Sequence, residues 1–500
     1  MNYFIDENLG SKLTGIEKAQ INRLHLFEKG GLPARGVIMH YNTQLHLYAD
    51  SFGVHGRYFS MYDFFQGTKD DEAVVNRGWI DYWENKCHFR VQYLPKTTDV
   101  RIHDGETFRM YAHFMDKDYQ ILDYINYFDK RHVKTMREIY DTRGFCSQIV
   151  YLTEKQKVAS KVYLNRQGER VMEDLYDSSP DLESKWTQTI VRNFRGRDYI
   201  FDSQMELRTF FFNQLYEDGD LYISDRNLKL AEPLDKTDDR VKICGVIHST
   251  HAQKQSDVMN SPIKTHYRFM IEHPDHFSKI ICSTDYQRRD LVNRFPDLKD
   301  KFVAIPVGFT TPVKIDPSKR LTNRVMCVAR FSPEKQIMQQ AEVIKRLVPE
   351  FPDVELHLFG YGKGEKALRD FVKENHLEKN IIFRGFLTDL SEEYQKGTVS
   401  LLTSIEEGFS LATLEAENYG VPVISYDIRY GPREIIDDNV NGFLIKPNDQ
   451  DALYERLRRV LRSPKLQQTL SAESIKLAKR FSEEAILQRW ENVVNDVLAN

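Results

Sequence analysis

Residues 404–425 read SIEEGFSLATLEAENYGVPVIS and place two carboxylates, Glu407 and Glu415, eight residues apart across a turn marked by glycine. The apolar run 399–403 in front of the turn predicts a short buried strand, and 411–419 predicts a helix. A helix that begins at the carboxyl end of a parallel strand points free N–H groups and the positive end of its dipole outward, which suits a phosphate. One of the two carboxylates can then face a sugar carbon and the other a ribose diol, with a diphosphate held between them.

The last third of the chain alternates short strand patterns with helix patterns. Such alternation is typical of a parallel sheet covered by helices on both faces, with ligands gathered beyond the carboxyl ends of the strands. The predicted strands are 325–329, 354–359, 380–383 and 421–425, and the predicted helices are 334–348, 363–375 and 389–396.

The N-terminal part shows the same α/β pattern in two pieces that are separated by a different kind of sequence. The first piece has predicted strands at 2–6 and 34–40 around a helix at 14–24, and the second has strands at 220–224, 241–248 and 279–283. Between them lie short, aromatic, alternating segments, which indicate an antiparallel meander with one solvated face. These segments are 108–114, 121–128, 147–152 and 160–164.

The sequence therefore predicts an α/β protein with two Rossmann-like domains and an insertion. The predicted parts are an N-terminal domain (1–45 plus 205–312), an inserted antiparallel β-meander (45–205), a C-terminal domain (313–480) and a last helix (481–500).

Composition excludes several classes of protein. The 500 residues suggest two or three domains, and 70 Lys and Arg against 74 Asp and Glu give no overall field for a nucleic acid. No apolar run is long enough to span a bilayer, and the opening MNYFID does not resemble a secretory signal, so we expect a cytoplasmic protein. The five cysteines are scattered without C-x-x-C spacing, which favours reduced thiols over a metal site.

The E-x7-E spacing, the GFSL turn and the trailing A-E-x-x-G-V-P-V-I resemble the retaining, metal-independent glycosyltransferases of family 4. Members of that family have the GT-B architecture, in which two Rossmann-like domains face each other across a cleft. The resemblance extends over nearly the whole chain. It implies a nucleotide-sugar donor bound by the C-terminal domain (313–480) and an acceptor bound by the N-terminal domain (1–45 plus 205–312), with no metal and no other cofactor. It also implies that the last helix (481–500) crosses back to the N-terminal domain.

The resemblance also implies which residues bind the donor. A nucleoside diphosphate leaves as a dianion, and without a metal its charge must be stabilised by cationic side chains and helix N-termini. Arg330 and Lys335, just past the predicted strand 325–329, resemble the pair that clamps the diphosphate in family 4. Glu415 resembles the ribose-binding glutamate, since a carboxylate can accept from both hydroxyls of a diol. The other implied donor contacts are Gly15 in the first strand-to-helix loop, Arg384, Gly385 and Phe386 near the base, and Gly408, Phe409, Ser410 and Leu411 at the phosphates.

Glu407 and His248 are expected beside the donor sugar. Together with Arg330 and Lys335, they are the predicted catalytic residues. The resemblance places Glu407 near the anomeric carbon and leaves three roles open: nucleophile, stabiliser of an oxocarbenium-like state, or anchor of a sugar hydroxyl. His248, at the end of the predicted strand 241–248, resembles the histidine that family 4 holds over the donor sugar, and His251 follows it closely.

Acceptor contacts are expected mainly from the meander. The stretch 89–170 carries fifteen Lys and Arg against eleven Asp and Glu, and its cations are interleaved with tyrosines, which suits an acidic, extended acceptor. The predicted acceptor-binding residues are the basic cluster Lys130, Arg131, Lys134 and Arg137, with Tyr430 at the acceptor-side rim.

A D-x-D motif at Asp116 and Asp118 matches the metal-binding motif of metal-dependent glycosyltransferases. Because it falls within the predicted meander, where charged turns are ordinary, we interpret it as a turn and predict no metal site.

The opening MNYFIDENLGSKLTGIEKA and the phrase MYDFF at 61–65 resemble the Gram-positive family 4 enzymes that glycosylate serine-aspartate-repeat adhesins, and the inserted meander resembles that of the catalytic subunit of the accessory-Sec adhesin glycosyltransferases. This implies retaining transfer of N-acetylglucosamine from UDP to serine hydroxyls, with glucose open as the donor sugar. Two alternatives remain: a wall teichoic acid (polyol-phosphate) glycosyltransferase, and a non-catalytic, glycosyltransferase-like chaperone subunit. The expected partners are a serine-aspartate-repeat or serine-rich polypeptide and a second copy of the chain that pairs through the meander edges. No nucleic acid is expected, and peripheral association with a membrane is compatible with the sequence.

Overall fold

The computed structural model describes residues 1–179 and 183–499 and divides into two compact units, Met1–Ile243 and Cys244–Asn500. Residues 180–182 of the predicted insertion and Asn500 of the predicted last helix lie outside the described residues.

The first unit contains parallel strands and a separate antiparallel sheet. The parallel strands run in the order β14-β1-β2-β3, and β1 is buried along its whole length, as expected for a strand covered on both faces. Numbered along the chain, the strands are β1 (Asn2–Asp6), β2 (Ala34–Ile38), β3 (Tyr58–Ser60), β4 (Arg90–Tyr93), β5 (Asp99–Asp104), β6 (Thr107–Phe114), β7 (Leu122–Phe128), β8 (Lys134–Tyr140), β9 (Cys146–Leu152), β10 (Val158–Leu164), β11 (Arg170–Asp177), β12 (Lys185–Phe194), β13 (Arg197–Phe201) and β14 (Leu221–Ser224). The helices are α1 (Gly15–Lys29), α2 (Leu45–Ser51), α3 (Met61–Phe65), α4 (Trp79–Asp81) with a π-helical turn (Tyr82–Lys86), α5 (Gln204–Leu215) and α6 (Asn227–Asp235).

The antiparallel sheet is a meander in which the ten strands β4 to β13 pair in chain order. One face packs on a core that includes Trp79, Trp83 and Phe114. The four segments predicted as strands correspond to β6, β7, β9 and β10. The predicted start of the insertion at residue 45 differs from the structure, because β3 pairs in parallel with β2 and the antiparallel sheet begins only at β4.

The second unit contains two sets of parallel strands. The order in the larger sheet is β20-β19-β18-β21-β22-β23, the doubly wound 3-2-1-4-5-6 arrangement, and the smaller set runs β17-β16-β15. The strands are β15 (Ile243–Ile247), which begins at the last residue of the first unit, β16 (Phe277–Cys282), β17 (Phe302–Ala304), β18 (Arg324–Val328), β19 (Glu355–Phe359), β20 (Ile381–Gly385), β21 (Val399–Leu402), β22 (Val423–Tyr426) and β23 (Gly442–Ile445).

The helices of the second unit cover these strands. They are α7 (Thr265–Glu272), α8 (Asp285–Arg294), α9 (Ile337–Leu347), α10 (Glu365–Glu374), α11 (Ser391–Lys396), α12 (Leu411–Asn418), α13 (Pro432–Ile435), α14 (Gln450–Arg462), α15 (Pro464–Ala478) and α16 (Glu483–Ala499), with 3-10 turns at Gln255–Asp257, Pro296–Leu298, Pro317–Lys319, Pro333–Lys335 and Lys479–Phe481. Helix α16 contacts β16, and Lys279 Nζ lies 2.7 Å from the Asp496 carboxylate.

All five cysteines are free thiols, and three of them are buried. Within the described ranges, every helix is too short or too polar to cross a bilayer.

Candidate active site

The site forms at the switch point of the larger parallel sheet, where the strand order reverses between β18 and β21. Because these two strands are adjacent and parallel, the loops at their carboxyl ends meet. Lys335 comes from the loop after β18 and Glu407 from the loop after β21, and Lys335 Nζ lies 2.6 Å from Glu407 Oε1. Both side chains are largely buried, with 16% and 13% of their surface exposed, so solvent screens this ion pair only weakly.

Neighbouring hydrogen bonds hold the two loops together. Ser404 Oγ donates to Glu407 Oε1 over 2.7 Å, and Thr403 Oγ1 donates to the Lys335 carbonyl oxygen over 2.8 Å. The Ile405 amide donates to the Glu334 carbonyl oxygen over 2.9 Å. The cation and the carboxylate are therefore positioned by both loops before any ligand binds.

Two glycines permit close packing around the turn that follows Glu407. A Cβ atom on Gly408 would lie 2.0 Å from the carbonyl oxygen of His248, so only glycine fits there. Gly431 has a φ of +47°, and a Cβ atom on it would lie 2.8 Å from the Phe409 carbonyl oxygen. The end of β15 is thus in direct backbone contact with the carboxylate turn, which brings His248 to the site as the sequence predicts.

The two candidate histidines occupy different environments. His248 is half-buried, and its amide donates to the Tyr267 hydroxyl oxygen over 3.2 Å. His251 is fully buried, and burial lowers its pKa to about 4. The buried His251 ring already has the Val258 carbonyl oxygen and the Tyr430 hydroxyl within 3.4 Å, so the half-buried His248 remains the better candidate beside the sugar.

Helix α12 carries the second glutamate of the motif. It begins at Leu411 after Ser410, which adopts a left-handed φ of +74°, so the first amides of the helix follow the turn directly. The Tyr394 hydroxyl donates to Glu415 Oε2 over 3.3 Å. Burial and this carboxylate raise the pKa of Tyr394 well above its usual range, so the hydroxyl keeps its proton. Phe409 packs on Phe481 and is 2% exposed, which leaves only its backbone for a ligand.

The predicted base loop is exposed. Arg384, Gly385 and Phe386 all reach the surface, and the Gly385 carbonyl oxygen accepts a hydrogen bond from the Gly360 amide over 2.8 Å. The Phe386 ring lies edge-on to Tyr361, with 5.9 Å between ring centroids. Sequence reasoning missed Tyr361, although its position between two glycines at the end of a predicted strand was an available signal.

The two residues of the predicted clamp differ in their surroundings. Arg330 is 69% exposed and lies 3.3 Å from the Glu334 carboxylate, whereas Lys335 is buried against Glu407. The contact of Arg330 with the diphosphate therefore stays a prediction.

Tyr430, predicted at the acceptor-side rim, is fully buried. Its hydroxyl donates to Asp290 Oδ2 over 3.0 Å and lies 3.4 Å from His251 Nδ1. A buried side chain with these hydrogen bonds supports the structure of the site and is not accessible to an acceptor. Its position therefore differs from the predicted place at the acceptor-side rim.

The remaining predicted residues lie in the first unit. Gly15 is the first residue of α1 and is exposed. Lys130 is exposed in the turn between β7 and β8, and Lys134 begins β8. Arg131 pairs with Asp129 and Glu154, both at 2.9 Å, and Arg137 lies over the Tyr124 ring at 4.4 Å while it donates to Asn126 over 2.7 Å.

The D-x-D motif is a turn, as interpreted from the sequence. Asp116 Oδ1 accepts the amide hydrogens of Gln120 over 3.0 Å and Ile121 over 2.6 Å, so its carboxylate caps the loop before β7. Among residues 1–179 and 183–499, no three His, Cys, Asp or Glu side chains group in a way that could hold a metal ion. Metal independence of the reaction stays a prediction.

Two family models match parts of the chain. Residues 314–477 match the glycosyl transferases group 1, and residues 12–183 match a family of accessory Sec system proteins. The match to the glycosyl transferases group 1 spans strands β18 to β23, the larger parallel sheet at which Lys335, Glu407 and Glu415 lie.

Known proteins resemble the chain over most or all of its length. A UDP-N-acetylglucosamine–peptide N-acetylglucosaminyltransferase GtfA subunit from Streptococcus pneumoniae is 23% identical, and the alignment covers 99% of each chain. A poly(ribitol-phosphate) alpha-N-acetylglucosaminyltransferase from Staphylococcus aureus is 25% identical over 60% of this chain and 62% of its own. The crystal structure of the pneumococcal O-GlcNAc transferase GtfA in complex with UDP and GlcNAc superimposes with a TM-score of 0.87 at 20% identity, covering 100% of this chain and 99% of the other. This likeness shows that the chain has the GT-B fold with the inserted antiparallel sheet.

Proposed function

We propose that this GT-B protein, whose C-terminal part is a group 1 glycosyl transferase domain, transfers N-acetylglucosamine from UDP to serine hydroxyls of a repeat polypeptide, with retention at the anomeric carbon. The observation that carries the proposal is the buried Lys335–Glu407 pair at the sheet switch point, one turn before the helix that bears Glu415. A cation, a carboxylate and a helix N-terminus converge where a nucleoside diphosphate sugar needs each of them.

The proposed roles follow from charge and reach. Lys335, with help from Arg330 and the first amides of α12, stabilises the negative charge that develops on the departing UDP. Glu415 accepts hydrogen bonds from the ribose hydroxyls, and the exposed loop at Arg384–Phe386 contacts the base. No residue in this set requires a metal, and we propose that the reaction proceeds without one.

The transfer step exchanges one carbon–oxygen bond for another. The serine oxygen forms a bond to the anomeric carbon while the bond from that carbon to the UDP oxygen breaks, and its electron pair leaves with UDP. The serine proton passes to the leaving phosphate. In this single step Glu407, beside this carbon, stabilises the oxocarbenium-like state or anchors a sugar hydroxyl. If Glu407 is a nucleophile instead, its carboxylate first displaces UDP from the carbon and the serine oxygen then displaces the carboxylate. His248 lies over the sugar.

The peptide acceptor is supported by the pneumococcal relative, which aligns with the chain from end to end. The staphylococcal relative supports a polyol-phosphate polymer as the alternative acceptor, over a shorter alignment. The match of residues 12–183 to the accessory Sec system protein family supports the third alternative, a non-catalytic subunit, for the N-terminal part alone. Because Lys335 and Glu407 are paired at the sheet switch point, as a donor site requires, we rank that alternative last.

The test is incubation of the purified protein with labelled UDP-N-acetylglucosamine and either a serine-aspartate-repeat peptide or poly(ribitol phosphate). We expect label on the peptide alone. Label on the polymer alone would establish the alternative acceptor. Absence of both transfer and UDP-sugar hydrolysis would favour the non-catalytic subunit. UDP-glucose in a parallel reaction identifies the donor sugar.

A further inference from the structure

A cavity of about 670 Å³ lies within the first unit, between the meander and the segments at the carboxyl ends of the parallel strands. Its volume falls in the range of ordinary small-molecule sites, about 300–1,000 Å³. The described residues that line it include none of the donor-binding or catalytic residues named above.

One wall is a single face of the meander, as the strand register shows. Lys161 of β10 pairs with Asp174 of β11, and Tyr176 of β11 pairs with Trp186 of β12. Side chains two residues apart on a strand point to the same face, so Tyr163 joins this set. The face therefore presents three aromatic rings together with one cation and one carboxylate.

Hydrogen bonds fix the orientation of these side chains. Trp186 Nε1 donates to Thr189 Oγ1 over 3.1 Å, and Thr189 donates in turn to Asp174. The Tyr163 hydroxyl donates to the second oxygen of Asp174 over 2.8 Å. Asp174 is 4% exposed, so the pocket has a buried acceptor group that holds the rings around it.

Two more tyrosines and an arginine complete the lining. The Tyr41 and Tyr62 rings pack on the Tyr163 ring, with 5.2 Å and 4.8 Å between ring centroids. Arg208 is 8% exposed and donates to Glu7 over 3.1 Å through Nη1. Its Nε–H is buried and has no hydrogen-bond partner among the residues that the structure describes.

The charges of the lining are nearly balanced, which favours a neutral ligand. Lys161, Arg208 and Lys229 face Asp174 and Glu232, and Glu7 already neutralises Arg208. A phosphate polymer would need a clear excess of cations. A pyranose instead has a C–H face that packs on aromatic rings and a hydroxyl rim that needs donors and acceptors. The lining supplies both.

We propose that this pocket binds an N-acetylhexosamine already attached to the acceptor polypeptide. The identity of the sugar rests on the proposed function, whereas the carbohydrate class rests on the lining. Such a site binds a sugar that was transferred in an earlier reaction and so keeps the polypeptide on the enzyme. The next serine hydroxyl of the same polypeptide can then enter the active site. The protein would then prefer partly glycosylated acceptor over bare acceptor.

The test measures binding of a serine-aspartate peptide with and without one O-linked N-acetylglucosamine by calorimetry, with UDP at saturating concentration. We expect the glycopeptide to bind about fivefold more tightly or better. Trp186→Ala and Asp174→Asn should remove the preference. Tyr93→Ala, which removes an exposed aromatic side chain from the far edge strand of the same sheet, should keep it. Equal affinity for the two peptides, or a preference that survives Trp186→Ala, would overturn the proposal.

Two further measurements separate this proposal from the proposed function. Methyl N-acetylglucosaminide binding requires no transfer and should be lost in Trp186→Ala but kept in Glu407→Gln, whereas the reverse pattern would place the sugar at the donor site and refute the pocket. If Trp186→Ala fails to fold, Trp186→Phe should retain binding and Lys161→Met should weaken it. If the protein binds the sugar in a Trp186-dependent way but glycosylates no peptide, the proposed sugar pocket stands and the proposed transfer to peptide is refuted.

Discussion

At the level of single residues, Lys335 is the group whose charge does most for the proposed reaction. It is buried, held from both loops, and already in contact with the carboxylate expected beside the anomeric carbon. A cation fixed in this way stabilises the leaving diphosphate without reorganisation during the reaction.

Lys335→Ala should therefore lower the turnover of UDP-N-acetylglucosamine by ~10²-fold or more, because a fixed stabiliser of transition-state charge is lost. Steady-state release of UDP measures this. Lys319→Ala is the matched control, since that lysine forms a surface ion pair with Glu392 outside the site. Unchanged turnover in Lys335→Ala would remove the residue from the reaction.

Glu417, two residues after Glu415, has a structural role that predicts an unusual pH dependence. It is fully buried, and burial raises its pKa to about 8 although Asn441 donates to its carboxylate over 2.9 Å. A pKa that is higher in the folded than in the unfolded state gives stability that is complete at low pH and is lost as pH rises through about 8.

Glu417→Gln should therefore be more stable than the wild type near pH 8, by an amount on the order of a few kcal/mol, because the amide carries no charge to bury. The difference should shrink toward pH 5. Urea unfolding of both proteins from pH 5 to pH 8.5 checks this, and a constant difference across that range would show that Glu417 ionises freely in the fold.

The sequence predicted the residues of the site better than it predicted their exposure. Glu407 and Gly408 belong to one local strand-turn-helix pattern, whereas Lys335 follows a different predicted strand and was assigned to the site through the family resemblance. The burial of Tyr430 and Phe409 depends on Asp290 and Phe481, which are distant in sequence. A local pattern contains no information about such partners.

At the level of elements, most of the parallel strands were predicted to within a few residues because each is a continuous apolar run that is covered on both faces of its sheet. The strands β3, β17 and β23 were not predicted. The meander was predicted only in part. Strand β8, read as a basic cluster, and the mostly exposed β13 carry many polar residues and show weak alternation. These two strands are positioned by hydrogen bonds to their neighbours in the sheet, so their own sequences need not show a strong strand pattern.

The turn between β7 and β8 carries two lysines that we expect to attract an acidic acceptor. Among the residues that the structure describes, Lys130 and Lys134 form no ion pair with a carboxylate of the kind that occupies Arg131. The double variant Lys130→Ala/Lys134→Ala should raise the KM for an acidic peptide and flatten its dependence on salt, because a long-range attraction is removed. Peptide titrations at two ionic strengths measure this, with UDP-sugar hydrolysis as the control for the donor site. An equal loss of both activities would make these lysines structural.

At the level of the whole molecule, the donor charge is expected to be neutralised by protein groups alone. EDTA at millimolar concentration should then leave transfer and hydrolysis unchanged, and added Mg²⁺ should restore nothing. Radiolabel transfer with and without chelator checks this. Loss of activity that Mg²⁺ or Mn²⁺ restores would contradict the proposed role of Lys335 and Arg330.

The ten-stranded sheet has two edge strands, β4 and β13, whose backbone groups can pair with another chain. Tyr93 and Ile200 lie on these edges with 47% and 60% of their surface exposed. If copies of the chain associate through β13, Ile200→Lys should shift the mass in light scattering from dimer to monomer. Val74→Lys, an exposed site outside the sheet, should not. A wild type that is monomeric at all concentrations would refute the pairing.

The contact between Lys335 and Glu407 has a consequence for selectivity. Since the ammonium group already has an anionic neighbour, an incoming ligand recruits it only by competing successfully with that neighbour. A pyrophosphate, with its high charge density, is the ligand that we expect to compete in this way. We therefore expect the protein to reject ligands that share the base and ribose of the proposed donor but lack its paired phosphates.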